Sequence, residues 1–248
     1  MVSSRDKVWF SELTMKEVKD AAEANKVVIL PVGSVEEHGI HLPLCTDSVQ
    51  PEYVTMEAAK KTDSLLAPPL KYGICTVTRA FPGTISISFQ SLCRITHEII
   101  EEFIRNDFKK FLILSGHADE EQMAALRLAA HKIMWKHKQE SEKRKLRIMV
   151  CSDYDFAYEL RGKYFDEKDG HGGTIETSRV MAIRPDLVRN KGKKNFKKLP
   201  RFEVIADPSE FLPGGIRGDP TAASAEKGRF INNYIIEEIV RLIEELKQ

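Results

Sequence analysis

Val27-Val28-Ile29-Leu30-Pro31-Val32-Gly33-Ser34-Val35-Glu36-Glu37-His38-Gly39-Ile40-His41-Leu42-Pro43-Leu44-Cys45-Thr46-Asp47 is the stretch that decides the fold. Its first six residues are apolar, rich in β-branched side chains and stopped by Gly33. That pattern predicts a short strand buried on both faces. Two further runs have the same character, Phe111-Leu112-Ile113-Leu114, ended by Ser115-Gly116, and Ile148-Met149-Val150-Cys151. Ser64–Ala67 predicts a short strand before Pro68-Pro69. Thr84–Ser88 alternates as a half-exposed strand does. Between these runs lie segments of helical spacing: Pro51–Lys61, Ser91–Asp107, Glu120–His137, Thr174–Arg184 and Ala222–Lys247. In Ser91–Asp107 the residues Leu92, Ile95, Ile99, Ile100, Phe103 and Ile104 form one apolar face. Alternation of fully apolar strands with helices predicts an α/β fold whose mostly parallel sheet is covered on both faces.

The chain has 248 residues, with 38 Lys+Arg against 37 Asp+Glu and a net charge of +1. That length is ample for a buried core. Near-neutrality argues against a nucleic-acid binder or a membrane-surface protein. No apolar run approaches the ~20 residues that span a bilayer, and the first twenty residues lack the apolar core of a signal peptide. A cytoplasmic protein is expected. Cys45, Cys75, Cys93 and Cys151 are scattered with no CxxC pair, so neither disulfides nor a cysteine zinc site is expected. Neither an internal repeat nor a low-complexity linker divides the chain, and one domain over residues 1–248 is expected. Lys191, Lys193, Lys194, Lys197 and Lys198 make a basic loop, either a solvated surface or an attractor for an anionic substrate.

Ligands of open α/β sheets bind beyond the carboxyl ends of the strands. The first strand is followed by Glu36, His38 and Asp47, the second by His117 and Asp119. The third is followed, some way on, by His171 and Glu176. Histidine with carboxylate, and no thiolate, is the donor set of catalytic zinc, manganese or ferrous iron. In an extended segment Glu36 and His38 share one face, and Asp47 has two oxygens with which to bridge two ions. Taken singly these are helix-capping acids and surface histidines; Asp119 in particular suits the cap of the helix from Glu120. Three such clusters together favour a metal site. His41 reads as a supporting or structural residue. His97, His131 and His137 fall within helical patterns and read as surface or packing residues.

The segment Pro31–Asp47 resembles the signature of the creatininase (creatinine amidohydrolase) family. Phe81-Pro82-Gly83-Thr84 resembles a second family block, and Ser115-Gly116-His117 a variant of its Asn-Gly-His motif. His171–Ser178 resembles its His-Ala-Gly-x-x-Glu-Thr-Ser motif, and Gly218–Gly228 the block before its last helix. The resemblance implies a three-layer α/β/α sandwich, a homohexamer, and a two-metal site that hydrolyses a non-peptide C–N bond of a small-molecule amide. Two divalent ions per chain are implied, zinc first, with manganese or ferrous iron as alternatives. By the same resemblance Glu36 and His117 hold one ion, His38 and Asp119 the other, and Asp47 bridges them. His171 binds substrate or transfers a proton, with Glu176 beside it.

Departures from the family pattern bear on substrate. The stretch Tyr158–Asp169 carries no tryptophan where creatininases have them, Cys75 and Thr78 replace a serine and a histidine, and Ser115 replaces an asparagine. Creatinine is therefore expected to be a poor substrate. Some relatives deformylate a formylamino-pyrimidine ribonucleotide of flavin and deazaflavin synthesis. For such a substrate the basic loop offers a phosphate attractor. The third alternative is a catalytically silent metal-bound scaffold or binding module.

Overall fold

The computed structural model describes residues 8–138, 146–189 and 192–248. Four parallel strands form one sheet in the order β2-β1-β3-β4: β1 (Val28–Val32), β2 (Leu65–Leu66), β3 (Lys110–Ser115) and β4 (Arg147–Ser152). Val28 pairs with Leu65 on one side and with Phe111 on the other. Every residue of β1 and β3 is buried, which is why both runs lack polar alternation. Period-2 geometry then splits their side chains between two cores. Val28, Leu30, Val32, Phe111 and Ile113 pack with residues of α3 (Phe89–Arg105) and α4 (Glu120–Lys136). Ile29, Leu112 and Leu114 pack on the other face with α2 (Thr46–Thr62) and the last helix, α7 (Ala225–Lys247). The result is the expected three-layer α/β/α sandwich.

Helix α1 (Met15–Glu23) starts at a capping box of Thr14 and Glu17. Helix α3 starts where the Ser88 hydroxyl accepts the Ser91 amide at 3.1 Å. In α7, Ile231, Ile235, Ile239, Ile243 and Leu246 make the buried stripe. Short α5 (Asp153–Ala157) follows β4 directly, and α6 (Thr174–Ile183) packs along α7. Their approach is set by Gly228, where a β-carbon would stand 1.8 Å from the Ser178 carbonyl oxygen. Among the described residues no helix is long and apolar enough to cross a membrane.

Two expectations are corrected. Thr84–Ser88 is not a strand; Ile85 and Ser86 make single bridges to Val35 and Gly73. Each faces a loop residue rather than a strand, so no ladder propagates. Helix α2 begins at Thr46, not Pro51, and carries Pro51 inside it. Proline lacks the N–H that would bond the Asp47 carbonyl. That carbonyl instead lies against Gly33 and Gly116, where β-carbons would stand 2.7 and 2.3 Å from it. Helix α2 thus comes against the ends of β1 and β3 at Asp47 and Ser48.

Candidate metal centre

The chain leaves β1 for β2 on one side and later places β3 and β4 on the other. The order reverses between β1 and β3, the crevice where open α/β sheets bind ligands. Glu36 and His38 follow β1, His117 follows β3, and Asp47 enters from the first turn of α2. His171 and Glu176 arrive from the loop before α6 and its first turn. Glu36, His38, Asp47, His117 and Glu176 are buried, and His171 is partly exposed.

Three imidazoles are anchored in the same way. His117 Nε2 donates to the Ile74 carbonyl at 2.9 Å, His38 Nδ1 to the Glu36 carbonyl at 3.1 Å, and His171 Nε2 to the Glu37 carbonyl at 2.8 Å. A carbonyl accepts only, so each bond sets its ring's tautomer and turns the other nitrogen inward. Those nitrogens face carboxylate oxygens. His117 Nδ1 lies 3.0 Å from Glu36 Oε2 and 3.0 Å from Asp47 Oδ2. His38 Nε2 lies 3.2 Å from Asp47 Oδ1 and 3.4 Å from Glu176 Oε2. His171 Nδ1 lies 3.9 Å from Glu36 Oε2. In the neutral ring these contacts set lone pair against lone pair, which a proton on the ring or a shared metal ion relieves. Glu36 Oε2 and His38 Nε2 are buried with no hydrogen-bond partner. Donors about 2.1 Å from one ion at near-tetrahedral or near-octahedral angles lie about 3.0–3.4 Å apart. The residues present fit divalent ions on that test.

Electrostatics agree. Burial opposes the charged form of His38, but Asp47, Glu176 and Glu36 outweigh it and hold its pKa well above 6.5. Burial likewise opposes His117, and Glu36 and Asp47 raise it well above 6.5. For Asp47, burial pushes up, while His38 and His117 pull its pKa well below the usual carboxylate range. The carboxylates hold positive charge at these nitrogens, whether proton or metal, and the two compete.

Supporting contacts fix the carboxylates. The Ser34 hydroxyl donates to Asp47 Oδ2 at 2.6 Å, and the Thr78 hydroxyl donates to Glu36 Oε1. Glu176 Oε2 accepts the Gly172 amide at 2.6 Å, tying α6 to the His171 loop. His41 is supporting: its Nε2 lies 3.0 Å from both the Gly172 carbonyl and the Thr177 hydroxyl. Asp119 stands at the start of α4. Its carboxylate lines the same cavity but caps α4, accepting the amides of Glu121 at 3.0 Å, Gln122 at 3.4 Å and Thr76 at 3.0 Å.

Several contributors were not legible in advance. Cys75, assigned no role from sequence, is buried with its thiol near Glu36 and His117. Gln122 clamps the loops by accepting the Ile74 amide at 2.8 Å and donating to Ser115 Oγ at 2.9 Å; its only sequence signal is a place three residues after the α4 cap. A cavity of about 550 Å³ opens over the cluster, and its aromatic wall is Tyr154 and Tyr158. Phe165 is buried in the core and Tyr164 packs on Phe230. Arg161 stacks 3.1 Å above the Tyr158 ring, and Arg217 and Lys168 also line the cavity. Leu199 of the basic loop lines it too, whereas Lys193, Lys194, Lys197 and Lys198 do not; Lys191 lies outside the described residues.

The sequence profile of the creatininase (creatinine amidohydrolase) family matches residues 11–243. Creatinine amidohydrolase of Pseudomonas putida is 28% identical over 256 residues, covering 96% of both chains. A mycofactocin precursor peptide peptidase of Mycolicibacterium smegmatis is 30% identical over 222 residues, covering 83% of this chain and 79% of its own. A crystal structure of creatininase superposes with a TM-score of 0.86 at 26% identity, over 96% of this chain and 97% of that one. A mutant creatininase with bound creatine gives 0.88 at 26% identity, over 98% and 100%. Solved creatininases include Zn-Zn and Mn forms. With a matching profile over almost its whole length, a shared fold and a buried histidine–carboxylate centre at the sheet's switch point, this chain is an amidohydrolase belonging to the creatininase family.

Proposed function

We propose that this chain is a two-metal hydrolase that cuts a non-peptide C–N bond, in a cyclic or formyl amide, with zinc as the first choice of ion. The observation that carries the reading is the inward face of three tautomer-locked imidazoles against the oxygens of Glu36, Asp47 and Glu176. Glu36 and His117 would hold one ion, His38 the other, and the two oxygens of Asp47 would reach one each. Bound divalent ions lower the pKa of water and polarise a carbonyl.

The chain's own groups supply the rest. His171, held by the Glu37 carbonyl at Nε2, presents the lone pair of Nδ1 to the cavity, where it is placed to take a proton from the attacking water and then hand it to a leaving nitrogen. Glu176 fixes the loop that carries it through the Gly172 amide. Tyr154 and Tyr158 supply the aromatic part of the cavity wall, with the Arg161 guanidinium covering the Tyr158 ring.

The test is exhaustive chelation, metal analysis and reconstitution against a panel of cyclic and formyl amides. Activity lost with the metal and regained with zinc supports the reading; activity indifferent to metal refutes it. Asp47→Asn should lower the content of both ions, and two ions at unchanged affinity would show that Asp47 is not the bridge.

The cavity wall carries Arg161, Lys168 and Arg217 beside Glu120, Glu121 and Glu167, and the three cations suit one refinement, a substrate with an anionic group such as a phosphorylated formylamino-pyrimidine. Arg217→Ala should then raise KM for the phosphorylated amide with little change in kcat. The proposed assembly is a homohexamer of one-domain chains in the cytoplasm, testable by light scattering and fractionation.

A further inference from the structure

We propose that Cys75 is a thiolate ligand of the ion held by Glu36 and His117, which makes the two metal positions chemically unequal. The inference rests on the two-metal reading above and concerns the donor set of one position. One ligand atom each of Glu36, Cys75 and His117 lies within 4.8 Å of the other two, and all three residues are buried. Three independent features aim this group at an ion.

The first is a vacancy in the hydrogen bonding. Glu36 Oε1 accepts the Thr78 hydroxyl, while Glu36 Oε2 is buried with no hydrogen-bond partner. A buried carboxylate oxygen without a donor calls for a cation. The second is the tautomer of His117. Its Nε2–H is committed to the Ile74 carbonyl, so the free lone pair is on Nδ1, 3.0 Å from that same Glu36 Oε2. The third is the placement of Cys75 itself. The Ile74 amide is held by Gln122 Oε1 at 2.8 Å, the Ile74 carbonyl by His117, and the Cys75 amide by Ser86 Oγ at 2.9 Å. The thiol therefore sits on a segment clamped on both sides and tied to the ligand histidine, which is how a donor is preorganised.

Glu36, His117, Asp47 and Cys75 together supply two oxygens, one nitrogen and one sulfur. Four such donors are what zinc takes in tetrahedral sites, and sulfur favours zinc or cobalt over manganese. The other position, facing His38, Asp47 and Glu176, offers only nitrogen and oxygen. Binding at the first position forms a metal–sulfur bond and releases the thiol proton to solvent.

X-ray absorption on the zinc-loaded wild-type protein tests this directly. The expected result is a sulfur shell at about 2.3 Å beside nitrogen and oxygen at about 2.0–2.2 Å. The cobalt-loaded protein should show an intense thiolate-to-cobalt band in the near ultraviolet. Cys75→Ser should abolish both signals and weaken zinc at one of two sites by at least about tenfold, leaving manganese affinity unchanged. Cys45→Ser should keep both signals. A wild-type spectrum with nitrogen and oxygen alone overturns the proposal while two bound ions leave the two-metal reading intact. A sulfur shell that survives Cys75→Ser also overturns it. Failure to bind zinc at all overturns both. The wild-type spectrum decides even if Cys75→Ser does not fold.

Discussion

Gly116→Ala should loosen the metal centre without touching a ligand. The added β-carbon would stand 2.3 Å from the Asp47 carbonyl oxygen and 2.4 and 2.5 Å from Cδ and Cγ of Pro51. Real β-carbons essentially never come under 3.0 Å, and neither a helix carbonyl nor a proline ring can rotate aside. The first turns of α2 must therefore retreat by roughly an ångström, and Asp47 goes with them. Overpacking of this kind costs about 1–3 kcal/mol, or about 2–12 °C in Tm for a chain of this size. Misplacing Asp47 disturbs its contacts with both His38 and His117, so zinc affinity should fall by about 10–100-fold at both positions. Thermal unfolding of the metal-free protein reads the first effect, and competition with a chromophoric chelator reads the second. An unchanged Tm refutes the clash. A lowered Tm with undiminished zinc affinity refutes the link between the α2 contact and the site.

Asp153→Ala should destabilise the fold by about 3–5 kcal/mol in chemical denaturation, because it strands the fully buried guanidinium of Arg179, which pairs with Asp153 behind the site; a cost under about 1 kcal/mol would show that the charge finds another partner. In the metal-free protein, His38 and His117 have pKa values raised by their carboxylates in the folded state. Their stabilisation is complete below the unfolded value of about 6.5 and is lost as pH rises through the raised folded values. Chelated protein should therefore lose stability on alkaline titration while zinc-loaded protein does not, and a flat profile for the chelated protein would contradict the pairing. Creatinine should be hydrolysed about 100-fold less efficiently than by a dedicated creatininase. The wall here is Tyr154 and an Arg161-covered Tyr158 rather than tryptophan, and two lost stacking contacts are worth a few kcal/mol at most. Turnover comparable to that enzyme under the same metal conditions would refute this.

The layered fold was legible because its signal is local. A strand buried on both faces must be apolar at every position, so Val27–Val32 and Phe111–Leu114 could hardly be read otherwise. The loops that carry the site were legible for a related reason, since ligands collect beyond the carboxyl ends of parallel strands. Chain order alone therefore pointed to Glu36, His38, Asp47, His117, Asp119, His171 and Glu176. Thr84–Ser88 shows the limit: alternation was present, but a strand needs a ladder partner, and only single bridges formed. The start of α2 was missed because Pro51 is a strong local stop signal, whereas close packing against Gly33 and Gly116 is a tertiary contact that periodicity does not encode.

Only the folded chain decided how individual groups are used. Asp119 had two readings in sequence, helix cap and metal ligand; folding gives it the cap, with the amides of Thr76, Glu121 and Gln122 as donors, and also sets it on the cavity wall. Cys75 stands 42 residues before His117, and the two meet because Gln122 draws the Ile74–Cys75 segment onto the end of β3. Tyr154 and Tyr158 precede the His171 motif and face the cavity, while Tyr164 and Phe165, nearer in sequence, turn away into packing. Burial patterns and strand ends are properties of short segments, and the sequence determines them by itself. Which carboxylate caps a helix and which faces a histidine depends on contacts made across tens of residues, and those exist only once the layers have packed.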